Sequence, residues 1–149
     1  MAEIKKVVLD VNVWISALLW GGLPSKFLHL SRQKKIIIFV SEPLLSELEI
    51  TLKRDKFQSQ LNKRNYTVDD LMTITKGFSE QCFTIFINVP KLRDTKDNKI
   101  IATALTAKAE ILITGDRDLL VLNEYEGILI QNPKDFLNIY FSDYLNQKP

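Results

Sequence analysis

The sequence predicts an α/β fold, a three-layer α/β/α sandwich built on a parallel sheet of about five strands. Two observations carry that expectation. Short runs rich in β-branched residues alternate with segments of helical periodicity, the order expected of parallel strands joined by helical crossovers. Several of those runs are apolar throughout rather than alternating, which fits strands covered on both faces. The 149 residues show no internal repeat, low-complexity tract or linker-like shift in composition. One domain over residues 1–149 is therefore expected.

Taken in order, strands are expected at residues 4–9, 35–40, 84–89, 111–114 and 128–130. Helix starts are marked between them. Ser41 precedes Glu42 and Pro43, a capping hydroxyl followed by a first-turn acid and proline. Thr67 with Asp70, Asp94 with Asp97, and Asn132 with Asp135 have the spacing of capping boxes, with Asp standing where Glu is the stronger choice.

Composition narrows the function classes. Apolar residues make up 46% of the chain and charged residues 26%, a soluble globular balance. A net charge of +2 is too mild to imply a nucleic-acid partner and does not exclude one. Cys82 is the only cysteine, so no disulfide framework exists and a reducing compartment is expected. No run approaches the ~18 apolar residues of a membrane span. Residues 13–19 imitate the core of a signal peptide. Asp10 and Asn12 stand before them where a basic segment would continue, and the expected location is cytoplasmic.

In "KKVVLDVNVW" an apolar strand runs directly into Asp10. A carboxylate at that point is costly unless it is paired or coordinated. It reads equally as the cap of a following helix, and Asn12 could orient it or cap that helix itself. In "SEPLLSELEITL", Leu44, Leu45, Leu48 and Leu52 form one helical face, with Glu47 and Glu49 on its opposite borders. Periodicity does not choose between these two acids. Asp94 and Asp97 fall in the first turn of a helix whose buried stripe is Ile100, Ile101, Ala104, Leu105 and Ala109, where capping and the helix dipole explain both. In "ILITGDRDLLVL" a strand ends at Thr114, Gly115 permits a turn, and Asp116 and Asp118 open a short helix.

Each capping explanation suffices alone. Together they require four coincidences, two of them at strand ends that share a rim of the sheet. Clustered carboxylates do not all stay ionised without cations. The economical cation is Mg²⁺ or Mn²⁺, which takes oxygen ligands. Zinc is disfavoured, because His29 is the only histidine and Cys82 the only cysteine. Without a histidine base or a Ser-His or Cys-His pair, a metal must activate water, which points to phosphate-ester hydrolysis.

The stretches "VVLDVNVWISALL", "SEPLLSELEITL", "RDTKDNKIIATAL" and "ILITGDRDLL" together resemble the PIN-domain family of metal-dependent ribonucleases, especially the single-domain toxins of type II toxin–antitoxin pairs. They occur in the family's order. The resemblance implies Asp10, Glu47, Asp97 and Asp116 as an acidic quartet, and so takes Glu47 over Glu49. It implies supporting places for Asn12, Asp94, Thr114 and Asp118. It further implies cleavage of single-stranded RNA with Mg²⁺ or Mn²⁺, a homodimer, and a cognate antitoxin that blocks the acidic cleft. In that scheme Asp10, Asp97 and Asp116 hold one or two ions, and Glu47 binds metal directly or through water. Lys96, Lys99 and Arg117 lie close enough in sequence to contact flanking phosphates, or are simply solvated.

Two rival readings fit the same residues. A haloacid-dehalogenase-like phosphatase would use Asp10 as nucleophile, yet Asn12 stands where that family carries an acid that protonates the leaving group, and an amide cannot do so. A non-catalytic PIN-like module that only binds a partner is the other.

Overall fold

The computed structural model describes residues 3–83 and 95–145, with the backbone alone for residues 95–97. β1 (Lys5–Leu9) is the apolar run expected at the start of the chain. Val7, Val8 and Leu9 are each 0% exposed. Successive strand side chains point to opposite faces, so both faces of β1 are covered. A short helix, α1 (Val11–Ile15), begins immediately and continues as a π-helical turn at Ser16–Trp20. The turn ends at Gly21 and Gly22, with φ of 73° and 64°. Those angles lie in the left-handed region that favours glycine.

α2 (Gly22–Arg32) leads to β2 (Ile36–Ser41), and α3 (Glu42–Leu52), α4 (Asp55–Lys63) and α5 (Val68–Gly77) follow. The helix starts use the expected chemistry. Ser41 Oγ accepts from the Leu44 N–H. Thr67 and Asp70 close a full capping box, each side chain accepting from the other's backbone N–H. α4 occupies the segment that the family resemblance determines least. Phe57 and Leu61, one turn apart, are its buried residues.

The chain continues through β3 (Ser79–Cys82), α6 (Thr95–Ala107), β4 (Ile111–Ile113) and α7 (Arg117–Leu120). It closes with β5 (Glu124–Tyr125), β6 (Ile128–Gln131), α8 (Pro133–Tyr140) and α9 (Ser142–Leu145). Asn132 Oδ1 accepts from the Asp135 N–H, which forms one half of the box expected there. Among the described residues the sheet has the order β3-β2-β1-β4-β6-β5, and every neighbouring pair is parallel except β5 with β6. The fold is thus mixed α/β, a mostly parallel sheet flanked by helices. No described helix is long and apolar enough to cross a membrane.

The strand expected at 84–89 lies outside the described residues. β3 pairs with β2 from Ser79 to Cys82. Its sequence, SEQC, is polar and partly exposed, so no apolar pattern announces it. β5 is also unannounced. It has two residues and joins β6 through Glu126 and Gly127, with φ of 51° and 85°. Asn or Asp before Gly is the usual signal for such a turn, and Glu hides it.

The strand order positions the site. From β1 the chain crosses to β2 on one side, and from β4 it proceeds to β6 on the other. The two connections diverge beyond the carboxyl ends of neighbouring strands. In open α/β sheets that divergence leaves a crevice where ligands bind.

Candidate active site

Asp10 and Thr114 are the first residues beyond β1 and β4. The ladder extends through them, because the Asp10 N–H donates to the Ile113 carbonyl at 2.9 Å and the Thr114 N–H to the Gln131 carbonyl at 2.9 Å. This brings the two side chains together, and Thr114 Oγ1 donates to Asp10 Oδ2 at 2.6 Å. The same hydroxyl accepts from the Asp116 N–H at 2.9 Å. Thr114, which is 0% exposed, therefore ties both aspartate segments to one point of the rim.

Burial pushes the Asp10 carboxyl above the ordinary carboxylate range, and the negative charge of Asp116 adds to this. The Thr114 hydroxyl and the backbone N–H groups of Val11 and Asn12 act in the opposite direction. Asp10 precedes α1, yet its side chain makes no capping hydrogen bond. The first-turn N–H groups favour its charge without holding it in a formed cap, and burial outweighs them. Capping does account for part of Asp116, whose Oδ1 accepts from the Asp118 N–H at 2.9 Å.

The two glutamates of α3 separate clearly. Glu49 is ion-paired with Lys53 one turn later, at 3.8 Å. Glu47 is half-buried, with its Oε2 enclosed. Lys96 and Asp97 stand in the first turn of α6 by backbone position, and Asp94 lies outside the described residues. Asn12 is inside the first turn of α1 rather than at its cap, and it is exposed, as are Lys99, Arg117 and Asp118. α6 packs on β1 and β4, and α3 packs on α1 and α6. The helices bearing Glu47 and Asp97 are therefore neighbours of each other and of the rim. Among the described residues no three acidic, histidine or cysteine side chains form a ready-made metal cluster.

Among the buried polar residues not singled out by the sequence, Thr103 bears on the site. Thr103 sits among the small residues of α6 and is fully buried. Its hydroxyl lies 2.6 Å from that of Ser41, a partner 62 positions away that no local pattern reveals.

The family model for the PIN domain matches residues 6–118. This chain belongs to the PIN-domain family. The matched span contains Asp10, Glu47, Asp97 and Asp116. The uncharacterized protein MJ1680 of Methanocaldococcus jannaschii is 35% identical over 149 residues, covering 92% of this chain and 93% of that protein. A chain in the crystal structure of VapBC2 from Rickettsia felis, bound to a DNA fragment from their promoter, superposes with a TM-score of 0.56. It covers 85% of this chain and 98% of that one at 16% identity, a likeness of fold.

The rim of this PIN domain suits a divalent cation. Its donors are carboxylate oxygens, the set that Mg²⁺ and Mn²⁺ prefer. Asp10 is a buried carboxylate disfavoured as an anion by burial and by Asp116. A positive ion between the two would relieve both effects.

Proposed function

We propose that this chain is a metal-dependent endoribonuclease that hydrolyses phosphodiester bonds in single-stranded RNA. We further propose that it is one domain over residues 1–149 and the toxin of a type II toxin–antitoxin pair, acting in the cytoplasm as a homodimer that a cognate antitoxin inhibits. The observation that carries the nuclease reading is the Asp10–Thr114–Asp116 arrangement at the divergence of β1 and β4, in a chain of the PIN-domain family. The toxin reading rests on the sequence resemblance, and the VapBC2 chain shares the fold.

Asp10, Glu47, Asp97 and Asp116 would hold Mg²⁺ or Mn²⁺. When bound, such an ion supplies Lewis acidity that activates water and offsets charge on the departing 3′ oxygen. The rest is work for the chain. The Thr114 hydroxyl fixes the orientation of the Asp10 carboxylate, and the Asp118 N–H fixes that of Asp116. Such outer contacts determine how well a ligand set is preorganised. Lys96, Lys99 and Arg117 would contact phosphates beside the scissile bond, placing the strand without reading its bases.

A paired substrate test separates this from the phosphatase. With Mn²⁺ present, labelled single-stranded RNA should be cut while a small phosphomonoester is left intact. Glu47→Gln should slow RNA cleavage about a hundredfold, close to 3 kcal/mol of barrier. Hydrolysis of the phosphomonoester, unchanged by Glu47→Gln, would transfer the assignment to the phosphatase.

A further inference from the structure

Two buried hydroxyls join the helices that carry Glu47 and Asp97. Ser41 ends β2 and caps α3, and Thr103 lies in the middle of α6. Both are 0% exposed, and their oxygens are 2.6 Å apart. The direction of the bond follows from counting protons. Thr103 Oγ1 donates its one hydrogen to the Lys99 carbonyl at 2.7 Å. Ser41 must then donate to Thr103. Ser41 Oγ in turn accepts from the Leu44 N–H at 3.4 Å. The result is a one-way relay, Leu44 N–H to Ser41, Ser41 to Thr103, and Thr103 to Lys99, that leaves each hydroxyl both donating and accepting. In a buried, low-dielectric setting, aligned bonds of this kind polarise one another and resist being broken singly.

The relay joins turns that lie next to those acids in sequence. Leu44 lies one turn before Glu47 on α3, and the Lys99 carbonyl belongs to the turn that follows Asp97 on α6. We propose that Ser41 and Thr103 are positioning residues for the metal site, holding α3, which carries Glu47, in register with the first turn of α6, where Asp97 stands. Neither hydroxyl needs to touch metal or substrate. The inference rests on the nuclease reading above. Core packing alone would be served as well by Val at position 103, without a buried hydroxyl to satisfy, whereas Ser41 also caps α3.

The test is Mn²⁺ binding by the intact protein, followed by titration of free Mn²⁺ with electron paramagnetic resonance, alongside thermal melting without metal. Thr103→Val is the leading variant, because it keeps the shape and leaves the Ser41 cap in place. It should weaken Mn²⁺ binding about tenfold, within the range for contacts that orient metal ligands. Thr103→Ser should restore binding, and RNA cleavage by Thr103→Val should recover at high Mn²⁺. Ser41→Ala should show the same loss, and the double variant should be no worse than the worse single one. Wild-type Mn²⁺ affinity in a folded Thr103→Val would overturn the positioning role, as would a Thr103→Ser that binds no better than Thr103→Val. If Thr103→Val does not fold, the same readout on Ser41→Ala decides. Failure of the wild type to bind Mn²⁺ or cut RNA would instead bring down the nuclease reading, and the positioning role with it.

Discussion

Asp10 is a side chain that costs the metal-free fold stability and that, under the proposed function, would hold a cation. Its carboxyl titrates above the ordinary value of 3.8 in the folded chain, so between 3.8 and the raised value the folded state binds more protons than the unfolded state. Stability therefore falls as pH rises through that window, and the penalty persists at higher pH. Asp10→Asn should raise the melting temperature of metal-free protein at pH 7, with the gain shrinking as pH approaches 3.8 from above. Added Mn²⁺ should stabilise the wild type and leave Asp10→Asn unmoved, as ligand linkage requires. Thr114→Val removes the donor to Asp10 and the acceptor for the Asp116 N–H. Urea unfolding should register a loss of about 1–3 kcal/mol, the cost of leaving buried polar groups without their partner.

At the scale of elements, what could be read in advance depended on whether the signal was local. Asp10 and Asp116 were legible because each follows an apolar strand, and Ser41, Thr67 and Asn132 because a cap and its partner are three residues apart. Glu47 and Glu49 could not be told apart by helical periodicity, since they flank the same apolar stripe. Lys53, four residues after Glu49, was the available clue. Thr103 was illegible because its partner is distant in sequence. β3 and β5 were missed because a polar four-residue strand and a two-residue strand gain their stability from pairing rather than pattern. The β5–β6 turn gives a check at this scale. A Cβ at Gly127 would meet nothing within 4 Å, so Gly127→Ala is strained only by its φ of 85°. It should lose about 1 kcal/mol in thermal or urea unfolding and leave RNA cleavage unchanged.

For the whole molecule, the sheet order does what no single motif could. It makes β1 and β4 neighbours although more than a hundred residues separate them, and it parts their connections at the point where Asp10 and Asp116 emerge. The alternation of strand and helix foretold a parallel sheet, whereas the strand order is visible only once the chain is folded. The modest net charge of +2 sets a further expectation. RNA affinity should depend weakly on salt, through a few phosphate contacts. Lys99→Ala should weaken binding alike for all sequences and lower the salt slope by about 0.7, the value for one contact on a single strand.

The most direct measurement is the fate of end-labelled single-stranded RNA incubated with the wild type and with Asp116→Asn, each with and without Mn²⁺. The wild type should cut it only when metal is present, leaving 5′-phosphate and 3′-hydroxyl ends, and Asp116→Asn should be slower by roughly a thousandfold, about 4 kcal/mol of lost charge stabilisation. RNA left intact by folded, Mn²⁺-loaded wild type, or cut equally by Asp116→Asn, would contradict the assignment of the rim between β1 and β4 as a nuclease centre.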